Sequence, residues 1–483
     1  MRIQSSDLFS KKELILIKGL VPRVLISAPQ SGVGKTTITM SVVAALKKLG
    51  LTVQTFKVGP DYLDPTYLSI LSERPCYNLD GWMMGKDYII SLFLEKSKDV
   101  DISVIEGAMG LFDGARPGRI DSSAAEIGVW LKAPTVLVVN THGMAGSIAA
   151  LVKGFSTFEP ALIIAGVIAN YTGSENHAKW LEESCRLHGL APLIGSFPRG
   201  AFESLPSRRL GLVTASCQKL DDNAKAALVD ASEKYLDVEK LINVANSGQD
   251  FVAPKVSRLR QEHDLTMRIG IAFDEAFHFY YRDNLEALED RGFELVMFSP
   301  IFDKALPADL DFLYFGGGYP EEYARELAAN HEMLRMIKDF AESERPIYGE
   351  CGGLMYLSQG IELDDGLRHK MVGLFPAWTK MRKSLRALRY CEVAFQEDTI
   401  IACKGDVLRG HEFHYSELVE FDDGNEWKRV YEVSRPSQES IYNEGFQRNN
   451  ILLSYIHLHF ASHQKALDRM VSVSASRPDE EAD

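Results

Sequence analysis

The sequence predicts an α/β protein in which a domain with a parallel sheet and a phosphate-binding loop is followed by a second α/β domain. Short apolar runs rich in β-branched residues alternate with helical patterns along most of the chain. Gly34-Lys35-Thr36 follows one such run, and Cys351 follows another, with glycines nearby on both sides. Because 483 residues are too many for one ordinary core, we expect two or three domains.

The first half of the chain shows the pattern of a parallel sheet covered by helices. Its apolar runs are continuous rather than alternating, as in strands that are buried on both faces. Apolar residues at helical spacing over 37–49 place a helix directly after the Gly-Lys-Thr sequence. The predicted strands are residues 24–28, 53–57, 102–106, 135–140, 163–170 and 193–197.

The second half repeats the α/β pattern after a segment without periodicity. Residues 246–266 gain Ser, Gly, Gln, Pro and charge, which is typical of a linker. The strands predicted beyond it are residues 268–273, 295–298, 312–315 and 347–350. The predicted organisation is a first domain over 21–248, a linker over 249–266, a second domain over 267–472 and a disordered acidic tail over 473–483. Residues 1–20 lack a small-residue cleavage site and are interpreted as an extension rather than a signal peptide.

Composition and charge exclude several classes of protein. The formal net charge is −14, which argues against a nucleic-acid surface because phosphate binding needs clustered Lys and Arg. No apolar run reaches about 18 residues, so we predict no membrane span. The six cysteines form no Cys-x-x-Cys pair, which argues against a zinc site or a disulfide framework. Scattered thiols fit a reducing cytosol, so the predicted location is cytoplasmic.

Residues 28–37 form the candidate phosphate-binding loop. Gly32 and Gly34 let the backbone approach phosphate, and Lys35 supplies positive charge. The hydroxyl of Thr36, with Thr37 beside it, can bind Mg²⁺ at the N-terminus of the following helix. The alternative is a chance Gly-Lys-Thr in a strand–helix turn. Since a strand precedes the loop and a helix follows it, we predict a nucleoside triphosphate site.

Acidic side chains follow two other predicted strands. Ligands of open α/β sheets bind at the carboxyl ends of strands, so Asp61 and Glu106 are candidates to hold Mg²⁺ with Thr36. Asp61 and Asp64 also stand beside prolines, and a role as turn formers is an equal alternative. Asn170 ends another strand, where it could contact the adenine or simply cap the strand.

Cys351 lies in a strand, tight turn and helix pattern that is typical of a nucleophile elbow. A thiolate at a helix N-terminus has a lowered pKa, whereas the alternative is an inert buried cysteine. A late apolar strand is predicted to carry His457 and His459 on one face, and His457 is the candidate base. The backbone N–H groups of Gly317 and Gly318, at the end of an earlier strand, are candidate donors of an oxyanion hole.

Departures from the general motifs refine both interpretations. Gln30 stands where partition-type ATPases carry an extra lysine, and the loop instead resembles the dethiobiotin-synthetase-like group of P-loop ligases. Cys351 and His457 resemble the nucleophile and base of the triad-type, class I glutamine amidotransferase domain. In that domain a Glu commonly follows the His by two positions, and here His459 stands there. The resemblance implies a class I glutamine amidotransferase-like fold that lacks the usual carboxylate beside its base.

A closer resemblance is carried by stretches in both domains. They are residues 56–64, 78–80, 274–281, 316–321, 350–357 and 409–416. Together they are similar to the cobyrinic acid a,c-diamide synthase family. The resemblance implies amidation of the a and c acetate groups of cobyrinic acid, or a related acidic tetrapyrrole, in cobalamin biosynthesis. ATP would phosphorylate a carboxylate, and ammonia from glutamine would displace the phosphate.

The same resemblance implies roles for single residues. Lys35 and Thr36 would bind ATP and Mg²⁺. Cys351 would form a glutamyl thioester, with His457 as its base. The residues implied at the metal and at the substrate carboxylate are Asp61, Asp64 and Glu106. In the stretch 409–416, the histidines at 411 and 414 are interpreted as structural or interdomain residues.

Two other functions stay open at this stage. Ni-sirohydrochlorin a,c-diamide synthases of coenzyme F430 biosynthesis resemble this chain in both domains, although the loop residues 28–33 and Gly59-Pro60 favour the cobyrinic family. A non-enzymatic, ATP-switched assembly protein is a more remote alternative, because such a switch needs no glutaminase domain. The oligomeric state also stays open, with a homodimer as one option.

Overall fold

The computed structural model describes residues 14–17, 21–202, 220, 222–254, 267–421, 426–436 and 438–475. These residues fall into two compact units, the first ending within the described chain at 254 and the second beginning at 267. No helix among them is long and apolar enough to cross a membrane.

The first unit is built on a seven-stranded sheet in the order β4-β3-β5-β2-β6-β7-β8. The strands of this unit are β1 (Leu14–Ile17), β2 (Arg23–Ser27), β3 (Val53–Val58), β4 (Tyr77–Leu79), β5 (Ile102–Glu106), β6 (Thr135–Asn140), β7 (Ile164–Thr172), β8 (Leu193–Pro198) and β9 (Phe251–Pro254). Its helices are α1 (Lys35–Lys48), α2 (Asp64–Ser72), α3 (Gly81–Met84), α4 (Lys86–Lys96), α5 (Ala124–Leu131), α6 (Ser147–Phe158), α7 (Glu175–Leu187), α8 (Asp222–Tyr235) and α9 (Val238–Asn246).

Every neighbouring pair in this sheet is parallel, as the continuous apolar runs predict. Each residue of the central strands β2, β3 and β5 is buried. Because the strands are parallel, their carboxyl ends meet at one edge of the sheet. The loop after β2, the turn after β3 and the end of β5 therefore lie next to one another, and they carry the candidate nucleotide site.

Part of the predicted linker, the strand β9, belongs to the first unit. Strand β9 pairs antiparallel with β1, within what the sequence presents as an N-terminal extension. The guanidinium of Arg23 is buried and also donates hydrogen bonds to the backbone oxygens of Leu131 and Gln249. Strands of four residues are too short to show periodicity, which is why the sequence pattern did not reveal this pair.

The second unit has a ten-stranded sheet in the order β12-β10-β13-β15-β24-β23-β22-β19-β20-β25. The strands of this unit are β10 (Met267–Ala272), β11 (Phe277–Phe279), β12 (Phe293–Phe298), β13 (Phe312–Phe315), β14 (Gly317–Gly318), β15 (Ile347–Glu350), β16 (Ser358–Glu362), β17 (Arg368–Lys370), β18 (Phe375–Met381), β19 (Ala387–Phe395), β20 (Val407–His414), β21 (Ser416–Val419), β22 (Lys428–Arg435), β23 (Gln438–Arg448), β24 (Ile451–Ser454) and β25 (His457–Leu458). Its helices are α10 (Arg282–Glu289), α11 (Ala324–Ala329), α12 (His331–Glu342), α13 (Gly352–Leu357) and α14 (Gln464–Ala475).

Only half of this sheet follows the predicted α/β pattern. Strands β12, β10, β13, β15 and β24 are parallel, whereas the ladder from β24 to β25 is antiparallel. The single strand predicted over 451–460 is wrong, since β24 ends at Ser454 and β25 pairs with β20 instead. The predicted acidic tail begins too early, because α14 continues to Ala475, and residues 476–483 lie outside the described chain.

Candidate active sites

The phosphate-binding loop joins β2 to α1 and needs glycine at its last position. Gly34 has φ 86°, a left-handed conformation that side chains rarely adopt. A Cβ atom built there would lie 2.5 Å from Asn170 Nδ2, so the space is closed as well. Helix α1 then begins at Lys35, two residues earlier than the sequence predicts, and its first N–H groups point toward the loop. Such a helix N-terminus is a ready site for phosphate.

Two acidic residues and a buried lysine meet beside Thr36. Lys57 Nζ lies 2.6 Å from Asp64 Oδ2 and 2.9 Å from Glu106 Oε1. Thr36 Oγ1 lies 2.6 Å from Glu106 Oε1 and 3.1 Å from Asp64 Oδ2. The pairing of β3 with β5 causes this arrangement, because Lys57 and Glu106 are direct partners in register. We call Thr36, Lys57, Asp64 and Glu106 the acidic cluster.

Burial and charge set the ionisation of this cluster in opposite directions. Burial alone lowers the pKa of Lys57, but its ion pairs with Asp64, Glu106 and Asp61 outweigh burial and raise it well above the usual value. Burial raises the pKa of Glu106 above its usual value, opposed by Lys57. Burial, and then repulsion by Lys57, lowers the pKa of Lys35 to about 8. An anionic ligand at the loop would therefore stabilise the charged form of Lys35.

Asp61 lies at the edge of the acidic cluster, with its Oδ2 3.6 Å from Lys57 Nζ, and its other oxygen serves the local turn. Its Oδ1 accepts hydrogen bonds from the backbone N–H groups of Leu63 and Asp64, so the side chain holds the turn before α2. Asp64, rather than Asp61, contacts the Thr36 hydroxyl. The turn-former alternative therefore describes Asp61 better, because the first residue of a turn is where an aspartate can accept from the backbone ahead of it.

Asn170 supports the loop instead of facing an open base site. Its Nδ2 donates to Val33 O at 2.8 Å, and its Oδ1 accepts from Tyr171 N at 3.0 Å. The amide is buried, with 4% of its surface exposed. Each end of the amide has a backbone partner that holds the side chain on the loop, so a contact with adenine, which stays a prediction, would use the second Nδ2 hydrogen or the second lone pair of Oδ1.

The acidic cluster fits Mg²⁺ through its chemistry. No group of three or more His, Cys, Asp or Glu residues in the described chain forms a complete metal cage. The Lys57 ammonium occupies the space between the carboxylates instead. However, Glu106 Oε2 is buried without a hydrogen-bond partner, and the Thr36 hydroxyl lies beside it. Mg²⁺ commonly takes one or two carboxylates together with phosphate oxygens, so an incomplete cage is the expected form.

Cys351 has the backbone of a nucleophile elbow, at the end of β15. Its φ of 49° and ψ of −100° are strained for a residue with a side chain, and α13 begins immediately after it. The Cys351 N–H donates to Ser454 O at 2.7 Å, which ties the turn to the end of the neighbouring strand β24. The predicted sequence of strand, tight turn and helix is therefore present.

The glycines after Cys351 allow a close approach to β14. A Cβ atom at Gly352 would lie 3.0 Å from Gly318 N, and one at Gly353 would lie 2.2 Å from Phe315 O. The predicted oxyanion-hole glycines, Gly317 and Gly318, therefore lie against the turn that carries the thiol. That these N–H groups donate to a developing oxyanion stays a prediction.

The resting thiol is protonated, contrary to the lowered pKa that the sequence suggests. Burial raises the pKa of Cys351 well above its usual value, and the nearby carboxylate of Glu321 raises it further. The Sγ atom points toward Phe413 O at 3.8 Å. Helix α13 has only six residues, so its dipole does not compensate for burial. Cys351 therefore needs a base when its substrate is bound.

His457 is buried against the same glycines. A Cβ atom at Gly317 would lie 2.3 Å from His457 Cε1, so the imidazole packs directly on β14. The ring also stacks on His411, with 4.8 Å between ring centroids and 14° between planes. Burial, and then repulsion by His411 and His414, lowers the pKa of His457 well below its usual value. A neutral imidazole beside the elbow can accept a proton from the thiol.

His459 makes different side-chain contacts from those of His457. Its Nε2 lies 2.8 Å from Asp283 Oδ2, and its Nδ1 lies 2.9 Å from Ser462 Oγ. The expectation that both histidines lie on one face of a single strand is wrong, because only His457 and Leu458 form β25. His459 is thus fixed to α10 by a buried hydrogen bond to Asp283.

Comparisons with known proteins agree with this pair of sites. Residues 24–208 match the CobQ/CobB/MinD/ParA nucleotide binding domain, and residues 268–465 match the CobB/CobQ-like glutamine amidotransferase domain. A protein from Syntrophotalea carbinolica named cobyrinate a,c-diamide synthase is 51% identical over 442 residues, covering 91% of this chain and 96% of the relative. The chain belongs to the cobyrinate a,c-diamide synthase family.

Other members of the cobyrinate a,c-diamide synthase family match over similar lengths. One from Leptospira interrogans is 43% identical, covering 93% of this chain and 98% of its own. One from Listeria monocytogenes is 39% identical, covering 91% of this chain and 96% of its own. The predicted family and the predicted succession of a nucleotide-binding domain and a glutamine amidotransferase domain are confirmed.

Sequence reasoning missed two contributors to these sites. Lys57 is a charged residue in β3, a strand that is buried throughout, and its place directly before the acidic turn could have drawn attention to it. The strand β20 was interpreted as structural, yet it supplies His411 beside His457 and Phe413 O beside Cys351. That contact depends on the antiparallel half of the sheet, which the apolar patterns do not predict.

Proposed function

We propose that this protein amidates the a and c acetate carboxylates of cobyrinic acid in cobalamin biosynthesis, using ATP and glutamine. The observation that carries the proposal is the presence, in one chain, of a phosphate loop with an acidic cluster and a cysteine elbow with a histidine base. The names of relatives that match almost the whole chain support the tetrapyrrole substrate.

In the first half-reaction, the substrate carboxylate attacks the γ-phosphorus of ATP and ADP leaves, which forms an acyl phosphate. The loop at Gly32 and Gly34 holds the phosphates, with Lys35 and the N–H groups at Thr36 and Thr37 neutralising their charge. Ammonia then attacks the carbonyl carbon and phosphate leaves, which completes the amide. Lys57 holds the carboxylates of Asp64 and Glu106 together beside the loop.

We propose that Thr36, Asp64 and Glu106 hold Mg²⁺ when ATP is bound. When bound, the ion would supply charge neutralisation to the β- and γ-phosphates. The support is the buried, unpaired Oε2 of Glu106 and the Thr36 hydroxyl between the two carboxylates. This set replaces Asp61 of the sequence prediction by Asp64, and leaves Asp61 to hold the turn that presents Asp64.

Glu106→Gln is expected to raise the Mg²⁺ concentration needed for half-maximal ATP binding by about tenfold, since a bond to a charged group contributes about 1.5–3 kcal/mol. Fluorescent ATP binding titrated with Mg²⁺ measures this without turnover. Asp61→Asn is the matched control, because an amide oxygen can still accept from Leu63 and Asp64. If Asp61→Asn raises the Mg²⁺ requirement more than Glu106→Gln, the metal set proposed above is wrong.

In the second half-reaction, Cys351 Sγ attacks the carboxamide carbon of glutamine while His457 takes the thiol proton. Gly317 and Gly318 donate N–H groups to the oxyanion. His457 returns the proton to the nitrogen, ammonia leaves, and a glutamyl thioester remains. Water, activated by the same histidine, then releases glutamate and regenerates the thiol.

We also propose that the enzyme works in the cytosol. Among the described cysteines, Cys76, Cys185, Cys351, Cys391 and Cys403 are free thiols. Free thiols persist in a reducing compartment, and an essential cysteine nucleophile would benefit from one.

The direct test offers cobyrinic acid and Ni-sirohydrochlorin side by side to the purified protein, with ATP and glutamine labelled with ¹⁵N in its amide. We expect mass spectrometry to find labelled nitrogen in cobyrinic acid, at both acetate positions and only when ATP is present. Label in the nickel compound alone would assign the enzyme to the other tetrapyrrole. Absence of label in both, without Cys351-dependent glutamate release, would leave the ATP-switched assembly protein as the better hypothesis.

A further inference from the structure

The base of the proposed glutaminase reaction lacks the carboxylate that commonly follows it by two positions. His459 occupies that position, and its ring nitrogens lie at hydrogen-bond distance from Asp283 and Ser462. A histidine base needs a partner at one nitrogen, because that partner decides which nitrogen carries the proton. Another group must therefore orient His457.

Glu350 is the carboxylate nearest to that role. It is the last residue of β15, directly before Cys351, and 2% of its surface is exposed. Its Oε2 lies 4.0 Å from His457 Nδ1. Its Oε1 accepts a hydrogen bond of 3.0 Å from the N–H of Leu458, the residue after the base. One carboxylate thus contacts both the backbone and the ring of the segment that carries the base.

The carboxylate is itself held in place by two phenols. The hydroxyl of Tyr348 donates to Glu350 Oε1 at 2.6 Å, and that of Tyr314 donates to Oε2 at 2.8 Å. Burial raises the pKa of Glu350 to about 7, opposed by the bonds from Tyr348, Leu458 and Tyr314. An imidazolium beside it would favour its ionised form, so protonation of His457 and ionisation of Glu350 support each other.

The two edges of the imidazole face different partners. The Nδ1 edge faces Glu350, whereas a Cβ atom at Gly317 would lie 2.3 Å from Cε1 and 3.2 Å from Nε2. The Cε1–Nε2 edge therefore faces β14, the strand against which the Cys351 turn packs. A proton on Nδ1 would leave the lone pair of Nε2 on the side of the thiol.

We propose that Glu350 is the positioning residue of His457: its carboxylate accepts a hydrogen bond from Nδ1–H, which directs the basic lone pair to Nε2, and its charge stabilises the imidazolium that forms. The inference rests on the proposed glutaminase function of Cys351. The present 4.0 Å separation is an ion-pair distance, longer than a hydrogen bond, and such contacts in enzymes without substrate commonly tighten when the substrate binds.

Glu350→Gln tests the proposal because it keeps the shape of the side chain and an oxygen for Leu458 N but removes the charge. We expect kcat for glutamine hydrolysis to fall by about 100-fold, with little change in KM, since general-base catalysis contributes about 10²–10⁴-fold. Amidation with ammonia should stay at the wild-type rate. Glu350→Asp, which retains the charge, should recover part of kcat.

Glu444→Gln is the matched control. Glu444 is also a buried glutamate with a pKa raised to about 7 by burial, and it accepts hydrogen bonds from Ser454 Oγ and Tyr455 N. The Glu444→Gln substitution removes a buried ionisable group from the same region, and Glu444 has no contact with His457 among its hydrogen bonds to Ser454 and Tyr455. We expect its kcat to change by only a few-fold. An equal loss in both variants would show a general structural effect and would overturn the positioning role.

Nitrogen-15 NMR of labelled histidine reads the tautomer of His457 directly in the wild-type protein. The resonances of His457 are assigned by their loss in His457→Gln. We expect the Nδ1-protonated tautomer, and a shift toward a mixture in Glu350→Gln. A wild-type His457 protonated at Nε2 would overturn the proposal.

The outcomes separate this inference from the proposed function. If Cys351→Ala hydrolyses glutamine at the wild-type rate, the glutaminase assignment itself fails. If hydrolysis depends on Cys351 but Glu350→Gln retains full kcat, only the positioning role of Glu350 fails.

Discussion

Replacing Lys35 by alanine is expected to abolish amidation whether glutamine or ammonia supplies the nitrogen. The lysine begins α1 at the phosphate loop and, in the structure, its Nζ donates to Met109 O at 2.7 Å. Burial and the neighbouring Lys57 lower the pKa of Lys35 to about 8. A bound triphosphate would therefore supply the negative counter-charge that stabilises the charged ammonium. Loss of one preorganised donor at a developing charge costs about 10²–10³-fold in rate.

The measurement compares amidation rates with glutamine and with a high concentration of ammonia, and glutamate release as a separate assay. Lys48→Ala is the matched control, since Lys48 ends the same helix and pairs with Glu233 on the surface at 2.6 Å. We expect that variant to keep its rate, and Lys35→Ala to retain part of its glutaminase activity. A ligase rate unaffected by Lys35→Ala would contradict the ATP assignment.

Motifs that are contiguous in sequence could be predicted because local geometry determines them. The phosphate loop needs glycine with positive φ before Lys35, and the elbow needs glycines where α13 crosses β14. Parallel strands could be predicted because burial on both faces leaves continuous apolar runs. In each case the physical requirement acts within about ten residues of chain and is therefore visible in the sequence.

The rest depends on register between distant strands. The pairing of Lys57 with Glu106, and the choice of Asp64 over Asp61 at Thr36, follow from how β3, β5 and α2 align. The antiparallel half of the second sheet, which brings His411 to His457, has no such local signal. Glu350 was passed over because its position next to Cys351 in sequence says nothing about the histidine that β24 and β25 place beside it.

Cys351→Ala is expected to abolish amidation with glutamine while leaving amidation with ammonia at the wild-type rate. The thiol is the group that would attack the carboxamide, and no other described cysteine lies on the elbow with His457 and β14. Alanine keeps the Cβ atom and therefore the same backbone strain at φ 49°, so the fold of the turn should persist. In the proposed mechanism, activation of the carboxylate uses Lys35 and the acidic cluster, all of which belong to the first unit.

The control for this prediction is Cys403→Ala, an exposed cysteine in the same unit, which should keep both activities. Added ammonia must reach saturation, so that the measured rate reports the carboxylate-activating half-reaction. Loss of ammonia-dependent amidation in a folded Cys351→Ala protein would contradict two separable half-reactions. Retention of ammonia-dependent amidation in Cys351→Ala, together with its loss in Lys35→Ala, would establish that glutamine hydrolysis supplies only the nitrogen. ATP hydrolysis would then supply the driving force for amide formation.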